Sequence, residues 1–288
     1  MRSRLDPDWL NAQYNVRASI ADADAVSARW VHASQVARDG SPGWFEAAYG
    51  PGPRERLDVF KPTVPVPAAG APVLVFVHGG FWRARSKEEF SFLAPAFNAA
   101  GALVVMPEYE LCPAVTVEQI TLQMVQALVW TWRHAAEHGG DPSRITVVGH
   151  SAGGHLAAML LSCRWKQVDE ALPANLVNGA LAVSGVFDLE PLRHTPFLQT
   201  DLQLTPTAVA RLSPAFFPRP KGRLHAVVGG DESDEFLRQT RLIRDVWGPT
   251  AVPVCETLVG RNHLTVMESL ADPQGRLHEL TLRLLGLH

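Results

Sequence analysis

The segment VVGHSAGG, residues 147–154, contains a serine in the pattern Gly-x-Ser-x-Gly. The apolar run RITVVGH (144–150) precedes Ser151, and an apolar stretch from Ala152 to about Leu161 follows it. This order predicts a strand, a sharp turn and a helix, with the serine hydroxyl exposed at the turn. A serine hydroxyl is a weak nucleophile at neutral pH, so its chemistry requires a base and an orienting acid. The alternative is a serine in a glycine-rich turn without chemistry.

His263 is the histidine best placed to act as the base. It follows the apolar run VPVCETLVG (252–260), and functional groups of parallel sheets gather at the carboxyl ends of strands. The later histidines, His278 and His288, fall in the terminal helix, where we expect surface positions. His150, in the serine motif, is expected to pack or hydrogen-bond locally. The alternative for His263 is a loop histidine without chemistry.

The orienting acid is expected in the loop that follows the apolar run RLHAVVGG (223–230). This loop offers four carboxylates: Asp231, Glu232, Asp234 and Glu235. Asp234 and Glu235 are predicted to begin the next helix, where carboxylates interact favourably with the helix dipole. The residue types alone therefore leave Asp231 and Glu232 both open as the acid.

A glycine pair ends another apolar run, in the segment VHGGFWR (77–83). Gly79 and Gly80 let the backbone pass close to a reacting atom and present N–H donors to a developing oxyanion. The alternative is a plain turn. Phe81 and Trp82 follow at once and are candidate substrate-pocket residues. For Trp82 the favoured interpretation is packing beneath the loop, with its indole N–H bonded to the backbone, and pocket lining is the alternative.

Short apolar runs alternate with helical stretches along most of the chain. Strands are predicted at 57–60, 73–78, 102–109, 144–150, 179–185, 223–230 and 252–260. A helix of about twenty residues begins at Val117, and others are predicted at 152–161 and 233–246. Alternation of this kind predicts an α/β fold with a mainly parallel sheet and helices on both faces. The run 57–60 is predicted as an edge strand.

The chain is predicted to form one α/β domain over residues 1–288. Residues 1–50 have a helical composition and are expected to be an N-terminal helical segment. Residues 188–221 are too many for a simple connection. We expect these two segments to supply a small cap over one end of the sheet.

The composition describes an ordinary globular protein, with 288 residues, 47% hydrophobic residues and a net charge of −3. No basic stripe supports nucleic-acid binding. No apolar run approaches the roughly 20 residues that span a bilayer, and the N-terminus lacks a signal-peptide pattern. A cytoplasmic location without membrane association is the default expectation. Three dispersed cysteines suggest neither a disulfide framework nor a zinc site.

Together these motifs resemble the α/β-hydrolase superfamily over about residues 55–288, in which serine, acid and histidine follow in this order. HGGFW (78–82) matches the H-G-G-x-W signature of kynurenine formamidase-like hydrolases. YELCP (109–113) resembles the Y-R-L-A-P segment of the wider esterase group. LDPDWLNAQYNVRASI (5–20) resembles the L-x-x-x-Y-N-x-R opening of formamidase-like members, and DESDEFLRQT (231–240) resembles their acid loop.

The resemblance implies an α/β-hydrolase fold, with a mostly parallel doubly wound sheet and a small cap. Alignment on the acid loop places the acid on Glu232 rather than Asp231, a departure if the family residue is aspartate. The resemblance also implies an oxyanion hole formed by Gly79, Gly80 and the amide of Ala152.

The expected activity is that of a serine hydrolase, which removes a small acyl group from an ester or amide through an acyl-enzyme at Ser151. The resemblance favours an aryl formamide such as N-formylkynurenine. A general carboxylesterase acting on short-chain or aromatic esters is the alternative, and cofactor-free acyl transfer or perhydrolysis stays open. A non-catalytic binding protein is more remote, because such proteins typically lose a triad member. The partner is a small molecule, no metal or cofactor is required, and a homodimer is compatible with the sequence.

Overall fold

The computed structural model describes residues 5–287, and its centre is an eight-stranded sheet. The strands are β1 (Gly43–Ala48), β2 (Arg56–Phe60), β3 (Ala71–Val77), β4 (Leu103–Pro107), β5 (Gly140–His150), β6 (Val177–Val183), β7 (Arg223–Gly229) and β8 (Val254–Leu258). Their order is β1-β2-β4-β3-β5-β6-β7-β8. Strand β2 pairs antiparallel with both β1 and β4, and every other pair of neighbouring strands in this order is parallel. The predicted fold class is confirmed.

The helices lie on both faces of this sheet. They are α1 (Pro7–Tyr14), α2 (Val16–Ser19), α3 (Ala23–Gly40), α4 (Ala94–Ala99), α5 (Val117–His134), α6 (Ala152–Leu161), α7 (Trp165–Val168), α8 (Glu190–Arg193), α9 (Pro196–Leu202), α10 (Pro206–Leu212), α11 (Asp234–Ala251), α12 (Glu268–Ala271) and α13 (Arg276–Leu285). Short 3₁₀ turns cover Lys87–Leu93, Ala135–His138, Pro214–Phe216 and Thr265–Met267. The positions of α5, α6 and most of α11 match the sequence predictions.

Strand β3 shows why the sheet needs helices on both faces. Val73, Val75 and Val77 belong to one buried apolar cluster, whereas Leu74 and Phe76 belong to a second. Successive side chains of a strand point to opposite faces, so these two clusters are the two layers of core. A strand with apolar residues on both faces is stable only when helices cover both of them.

The N-terminal part differs from the predicted helical segment 1–50. Helices end at Gly40, and residues 43–48 form β1, which pairs with β2 from Gly43 opposite Phe60. The missed strand is half-exposed at the sheet edge and therefore lacks a continuous apolar run. The run 57–60 is consequently not the edge strand, because β2 lies between β1 and β4. Residues 1–4 and His288 lie outside the described residues.

The segment 188–221 contains helices α8 to α10 and one 3₁₀ turn. Helix α9 contacts α1 of the N-terminal segment, and the Phe197 amide donates a hydrogen bond to Asn11 Oδ1 at 3.4 Å. The two segments predicted to form a cap therefore touch each other. Their role as a cap stays a prediction.

Candidate active site

The Ser151 turn joins β5 to α6 with a backbone that few residues adopt. Ser151 has φ +58° and ψ −116°, and its amide donates to the Val183 carbonyl at 2.8 Å. Gly153 permits this turn because a Cβ there would overlap the Val77 carbonyl of β3. Backbone strain of this kind persists where the surrounding structure holds it, and it presents the serine side chain at the carboxyl end of the strand.

His263 and Glu232 form the closest histidine–carboxylate pair of this region. His263 Nδ1 donates to Glu232 Oε2 at 2.5 Å, and both side chains are buried, with exposures of 5% and 0%. The other oxygen, Oε1, accepts hydrogen bonds from Ser184 Oγ at 2.5 Å and from the Gly229 amide at 2.7 Å. These contacts fix the carboxylate and the imidazole tautomer, which leaves Nε2 as the basic nitrogen.

The structure separates the two candidates for the acid. Glu232 lies against His263, whereas Asp231 is exposed and uses its amide to donate to the Arg261 carbonyl. Asp234 and Glu235 begin α11, as the sequence predicts. The geometry therefore favours Glu232, the residue to which the family resemblance points.

Ser151 and His263 line the same cavity, which has a volume of about 350 Å³. No hydrogen bond within the described part of the chain joins Ser151 Oγ to the His263 ring. Catalytic hydrogen bonds are commonly long or misaligned before substrate binds, so this arrangement is compatible with a nucleophile and its base.

The glycine loop after β3 passes directly beside the serine. A Cβ on Gly79 would lie 3.1 Å from Ser151 Cβ and 2.8 Å from the His150 carbonyl, so the loop fits only without a side chain here. In the described part of the chain, no acceptor is found for the amides of Gly79, Gly80 and Ala152. Free N–H groups beside a nucleophile can stabilise a developing oxyanion.

The residues that follow the glycines adopt an unusual backbone. Gly80, Phe81 and Trp82 have φ values of +110°, +50° and +56°. These three consecutive residues at positive φ form a tight turn, in which the amides of Arg83 and Ala84 bond back to the Gly80 carbonyl at 3.1 Å. For Phe81 and Trp82 this conformation is strained, and such strain clusters at functional sites.

This backbone separates the two predicted pocket residues. Phe81 lines the cavity, but Trp82 is 0% exposed within the core and is absent from the cavity wall. The prediction that Trp82 lines the pocket is therefore wrong, because successive side chains of the turn point in different directions. Its indole N–H finds no acceptor in the described residues, so the predicted backbone bond is also wrong. The ring instead packs edge-on against His155, with centroids 5.0 Å apart.

His78 anchors the glycine loop. Its ring bonds to the Gly79 carbonyl at 2.7 Å and to Glu108 Oε1 at 2.8 Å, and it stacks on Tyr109 at 4.2 Å. Neighbouring His78 and Arg54 hold the pKa of the Glu108 carboxyl below its usual range, against the effect of burial. A buried carboxylate with these partners makes a rigid support for the loop.

The remaining cavity wall comes from residues that sequence reasoning did not identify. Aromatic side chains make up much of it, namely Tyr14, Trp30, Phe90 and Phe197 besides Phe81. Three arginines also line it, Arg17, Arg83 and Arg85, each paired with a carboxylate. The paired charges leave little net field, so the cavity suits a largely apolar, aromatic ligand.

Ser184 is a further residue that sequence reasoning missed. It follows β6 with φ +52°, is fully buried and donates its hydroxyl to Glu232. The available signal was weak: a small polar residue before a glycine at the carboxyl end of an apolar run. Tyr14 had a signal, because it lies in the formamidase-like opening segment.

The other histidines have structural settings. His278, predicted at the surface, is only 3% exposed and stacks on Phe97 at 4.4 Å, because α13 turns this side chain towards the sheet. His150 packs beside the site, as expected, and its Nε2 donates to the His263 carbonyl at 2.9 Å. Burial and the nearby His263 hold the pKa of His150 well below its ordinary value, so it is neutral near pH 7.

One group of three carboxylates in the described residues lies close enough together to hold a metal ion: Glu46, Asp58 and Glu88. The buried ammonium of Lys87 contacts all three, at 3.2 Å from Asp58. Contact with Lys87 lowers the pKa of Glu88 to about 2 despite partial burial. The lysine already supplies the positive charge that this cluster requires, so the group is an ion-pair cluster near β1 and β2.

Within residues 5–287, every helix is too short or too polar to span a bilayer. The sequence can be compared with known proteins over nearly its whole length. A kynurenine formamidase of Salmo salar is 30% identical over 247 residues, which cover 83% of this chain and 80% of the relative. The esterase LipQ of Mycobacterium tuberculosis is 35% identical over 150 residues, 49% of this chain and 35% of that protein.

A solved structure extends the comparison. A protein of Silicibacter sp. TM1040, provisionally described as a thioesterase, superposes with a TM-score of 0.79 and 30% identity, covering 96% of this chain and 98% of that one. The family model of the α/β-hydrolase fold matches residues 74–239, more than half of the chain. These similarities support the hydrolysis of an ester or an amide as the activity. With its parallel sheet, strained serine turn and these relatives, the chain belongs to the α/β-hydrolase family, in the group of kynurenine formamidase-like enzymes and esterases.

Proposed function

We propose that this protein is a serine hydrolase of aryl formamides, substrates of the N-formylkynurenine type. The observation that carries the proposal is one aromatic cavity lined by Ser151, by His263 with its partner Glu232 behind it, and by Gly79 and Gly80, whose amides have no acceptor among the described residues. The similarity to a kynurenine formamidase over four-fifths of both chains supports the choice of substrate.

In the proposed mechanism, Ser151 Oγ attacks the formyl carbon while His263 Nε2 accepts its proton. Glu232 holds the Nδ1–H and stabilises the imidazolium that forms. His263 then gives the proton to the leaving nitrogen, and the C–N bond breaks to release the aromatic amine. Water attacks the formyl-enzyme with His263 as base, and formate leaves.

Charge develops on the carbonyl oxygen in both steps. The amides of Gly79, Gly80 and Ala152 are the donors we assign to this oxyanion, because they have no acceptor within residues 5–287 and lie beside the serine. Donors that are already in place need no reorganisation during the reaction, and loss of one such donor typically costs about 2.7–4 kcal/mol of transition-state stabilisation.

A panel of substrates tests the proposal. We expect kcat/KM for N-formylkynurenine to exceed the values for p-nitrophenyl acetate and p-nitrophenyl butyrate, with Ser151→Ala as the blank. Preference for butyrate with negligible formamide cleavage would reject the formamide proposal in favour of a carboxylesterase. The similarity to the esterase LipQ is the observation that favours this second candidate.

A non-catalytic binding protein is separated from both enzymes by covalent labelling. A fluorophosphonate probe should modify Ser151 in the wild type and leave Ser151→Ala unmodified, because the probe requires an activated serine. Absence of labelling in correctly folded wild-type protein contradicts any serine-hydrolase function.

A further inference from the structure

His150 stands in the variable position of the serine motif, directly before Ser151, and lines the same cavity. It is 4% exposed, and its Nε2 lies 2.9 Å from the His263 carbonyl oxygen. A carbonyl oxygen can only accept, so Nε2 must carry the proton of this imidazole. The bond also ties the nucleophile turn to the loop that carries the base.

The second ring nitrogen, Nδ1, is therefore a lone-pair acceptor when His150 is neutral. The charged groups that face the ring are His263, with centroids 4.7 Å apart, and Arg85. Positive charge on either one opposes protonation of His150, and burial acts in the same direction. His150 thus keeps Nδ1 unprotonated while His263 gains and loses its proton.

Nothing in the described part of the chain donates a hydrogen bond to His150 Nδ1. The atom lies 3.3 Å from the place that a Cβ on Gly79 would occupy, which puts it beside the glycine loop and the serine. Nδ1 is not one of the fully enclosed side-chain atoms that lack a partner in the described residues, and His150 lines the cavity, so a molecule in the cavity can reach this acceptor. The unused acceptor is therefore available to a bound substrate.

We propose that His150 Nδ1 accepts a hydrogen bond from the scissile amide N–H, so that His150 is a specificity-determining residue that favours amides over esters. This inference rests on the proposed function, because it needs a substrate that forms an acyl-enzyme at Ser151. In the tetrahedral intermediate the amide nitrogen carries one N–H, one aryl group and one lone pair. With the N–H held by His150, the lone pair is free to face His263, which delivers the proton that accompanies C–N cleavage.

An ester has no hydrogen at this position, so it leaves Nδ1 without a partner. Sites that pair with a substrate N–H discriminate against analogues that lack it, because the buried group of the protein then remains unpaired. The net contribution of one neutral hydrogen bond corresponds to between about twofold and slightly over tenfold in a ratio of rates. A change of about 1.4 kcal/mol corresponds to tenfold in the ratio of the two rates.

Two matched variants separate the nitrogens of His150. His150→Gln keeps an N–H near the Nε2 position, towards the His263 carbonyl, but lacks the Nδ1 acceptor. His150→Asn places an amide oxygen near Nδ1 and lacks the reach to His263. The substrates are formanilide and phenyl formate, which share the formyl and phenyl groups and differ in N–H against O. The measured quantity is the formanilide-to-phenyl-formate ratio of kcat/KM, corrected with Ser151→Ala.

We expect His150→Gln to lower this ratio about tenfold and His150→Asn to keep it within about threefold of the wild type. General damage to the site lowers kcat/KM for both substrates by the same factor and leaves their ratio unchanged. A ratio in His150→Gln equal to that of the wild type overturns the inference, as does an equal fall in both variants. If the wild type cleaves phenyl formate but not formanilide, the inference also fails. If the wild type cleaves neither substrate and no other formamide or ester, the result contradicts the proposed function itself, before the role of His150 is tested.

A structural measurement covers the case in which the variants do not fold. In crystals of Ser151→Ala soaked with formanilide, we expect the amide nitrogen within about 3.2 Å of His150 Nδ1. An amide nitrogen more than about 3.5 Å from Nδ1, in a pose with the carbonyl at the glycine loop, overturns the inference.

Discussion

The two walls of the cavity are built differently. The inner wall contains Ser151 and His263 and the glycine loop, which follow strands β5, β8 and β3 of one hydrogen-bonded sheet. The outer wall contains Tyr14 and Phe197, from α1 and α9, which lie outside the sheet. The inner wall is positioned by strand register, and the outer wall by contacts between short helices.

The contacts of the outer wall are mostly made by side chains. Tyr14 donates its hydroxyl to Glu235 Oε2 at 2.9 Å, and the Phe197 amide reaches Asn11 Oδ1 at 3.4 Å. Burial and the neighbouring Glu235 raise the pKa of Tyr14 well above its ordinary value, so the phenol stays a donor. The comparison suggests that chemistry and substrate choice reside in parts that can change independently.

The largest effect expected is on the inner wall. Ser151→Ala should lower kcat by about 10⁶-fold while the affinity for substrate stays close to that of the wild type. Single-turnover kinetics and equilibrium titration with a formamide measure the two quantities. A variant with more than about 1% of wild-type kcat would show that Ser151 is not the nucleophile.

Glu232→Gln is expected to lower kcat by about 10⁴-fold, because the amide would hold His263 in the wrong tautomer. Asp231→Asn is the matched control and should change kcat less than about twofold, since an exposed side chain away from the site has little effect. Steady-state kinetics on one formamide and one ester compare them. A silent Glu232→Gln contradicts the assignment of the acid.

Lowering the pH should reduce the free energy of unfolding through His155, a residue of α6, the helix that follows Ser151. Burial lowers the pKa of His155 in α6 to about 4 from its ordinary 6.5. Below pH 6.5 the imidazole of His155 binds a proton in the unfolded chain but not in the folded chain, so the free energy of unfolding falls as the pH falls. Below about pH 4 the folded chain binds this proton too, and the decline due to His155 ends. The loss expected from this group is about 3 kcal/mol.

The control for that prediction is His155→Gln, which keeps a donor towards the Leu212 carbonyl but does not titrate. Denaturant unfolding measures the free energy of unfolding between pH 7 and pH 4. We expect this free energy to decline less steeply in His155→Gln than in the wild type. Parallel curves for the two proteins would show that His155 does not carry this pH dependence.

Truncation of the outer wall should change binding rather than chemistry. Phe197→Ala removes a ring that packs edge-on against Phe81 with centroids 6.0 Å apart. We expect KM for an aryl formamide to rise about tenfold, with kcat within about threefold of the wild type. An equal fall in kcat and kcat/KM would show that the two walls are not independent.

Phe81 lies where the two walls meet, and the smallest effect is expected there. Phe81→Ala should widen the acyl side and raise the butyryl-to-acetyl ratio of kcat/KM for p-nitrophenyl esters by a few-fold, as one or two methylene groups permit. Initial rates with both esters provide the test. An unchanged butyryl-to-acetyl ratio would show that Phe81 does not line the acyl pocket.

The same division explains what could be predicted from the sequence. The inner wall depends on local patterns: an apolar strand, glycines at fixed spacing and a helix, as around Ser151. The choice between Asp231 and Glu232 needed the resemblance, because which of two adjacent side chains faces inward depends on the path of the loop. The packing of Trp82 beneath the loop was predicted, but its pocket alternative could not be dismissed because the positive φ of this turn is invisible in the sequence.

The outer wall depends on packing between distant segments. Tyr14 and Phe197 meet the site only after α1 and α9 come together, and no local periodicity encodes that contact. Strand β1 was missed for a related reason, since an antiparallel edge strand with one face exposed has no continuous apolar run.

The close approach of main chain at Gly79 and Gly153 has a consequence for directed evolution. Any side chain at Gly153 would collide with the Val77 carbonyl, and one at Gly79 would crowd the His150 carbonyl. A mutant library that randomises these positions would consist largely of unfolded clones. Positions 16, 81 and 197 are better choices for randomisation, because they line the cavity and lie outside the strands of the sheet. New substrate preferences are therefore accessible by changing the enclosure while the catalytic frame stays untouched.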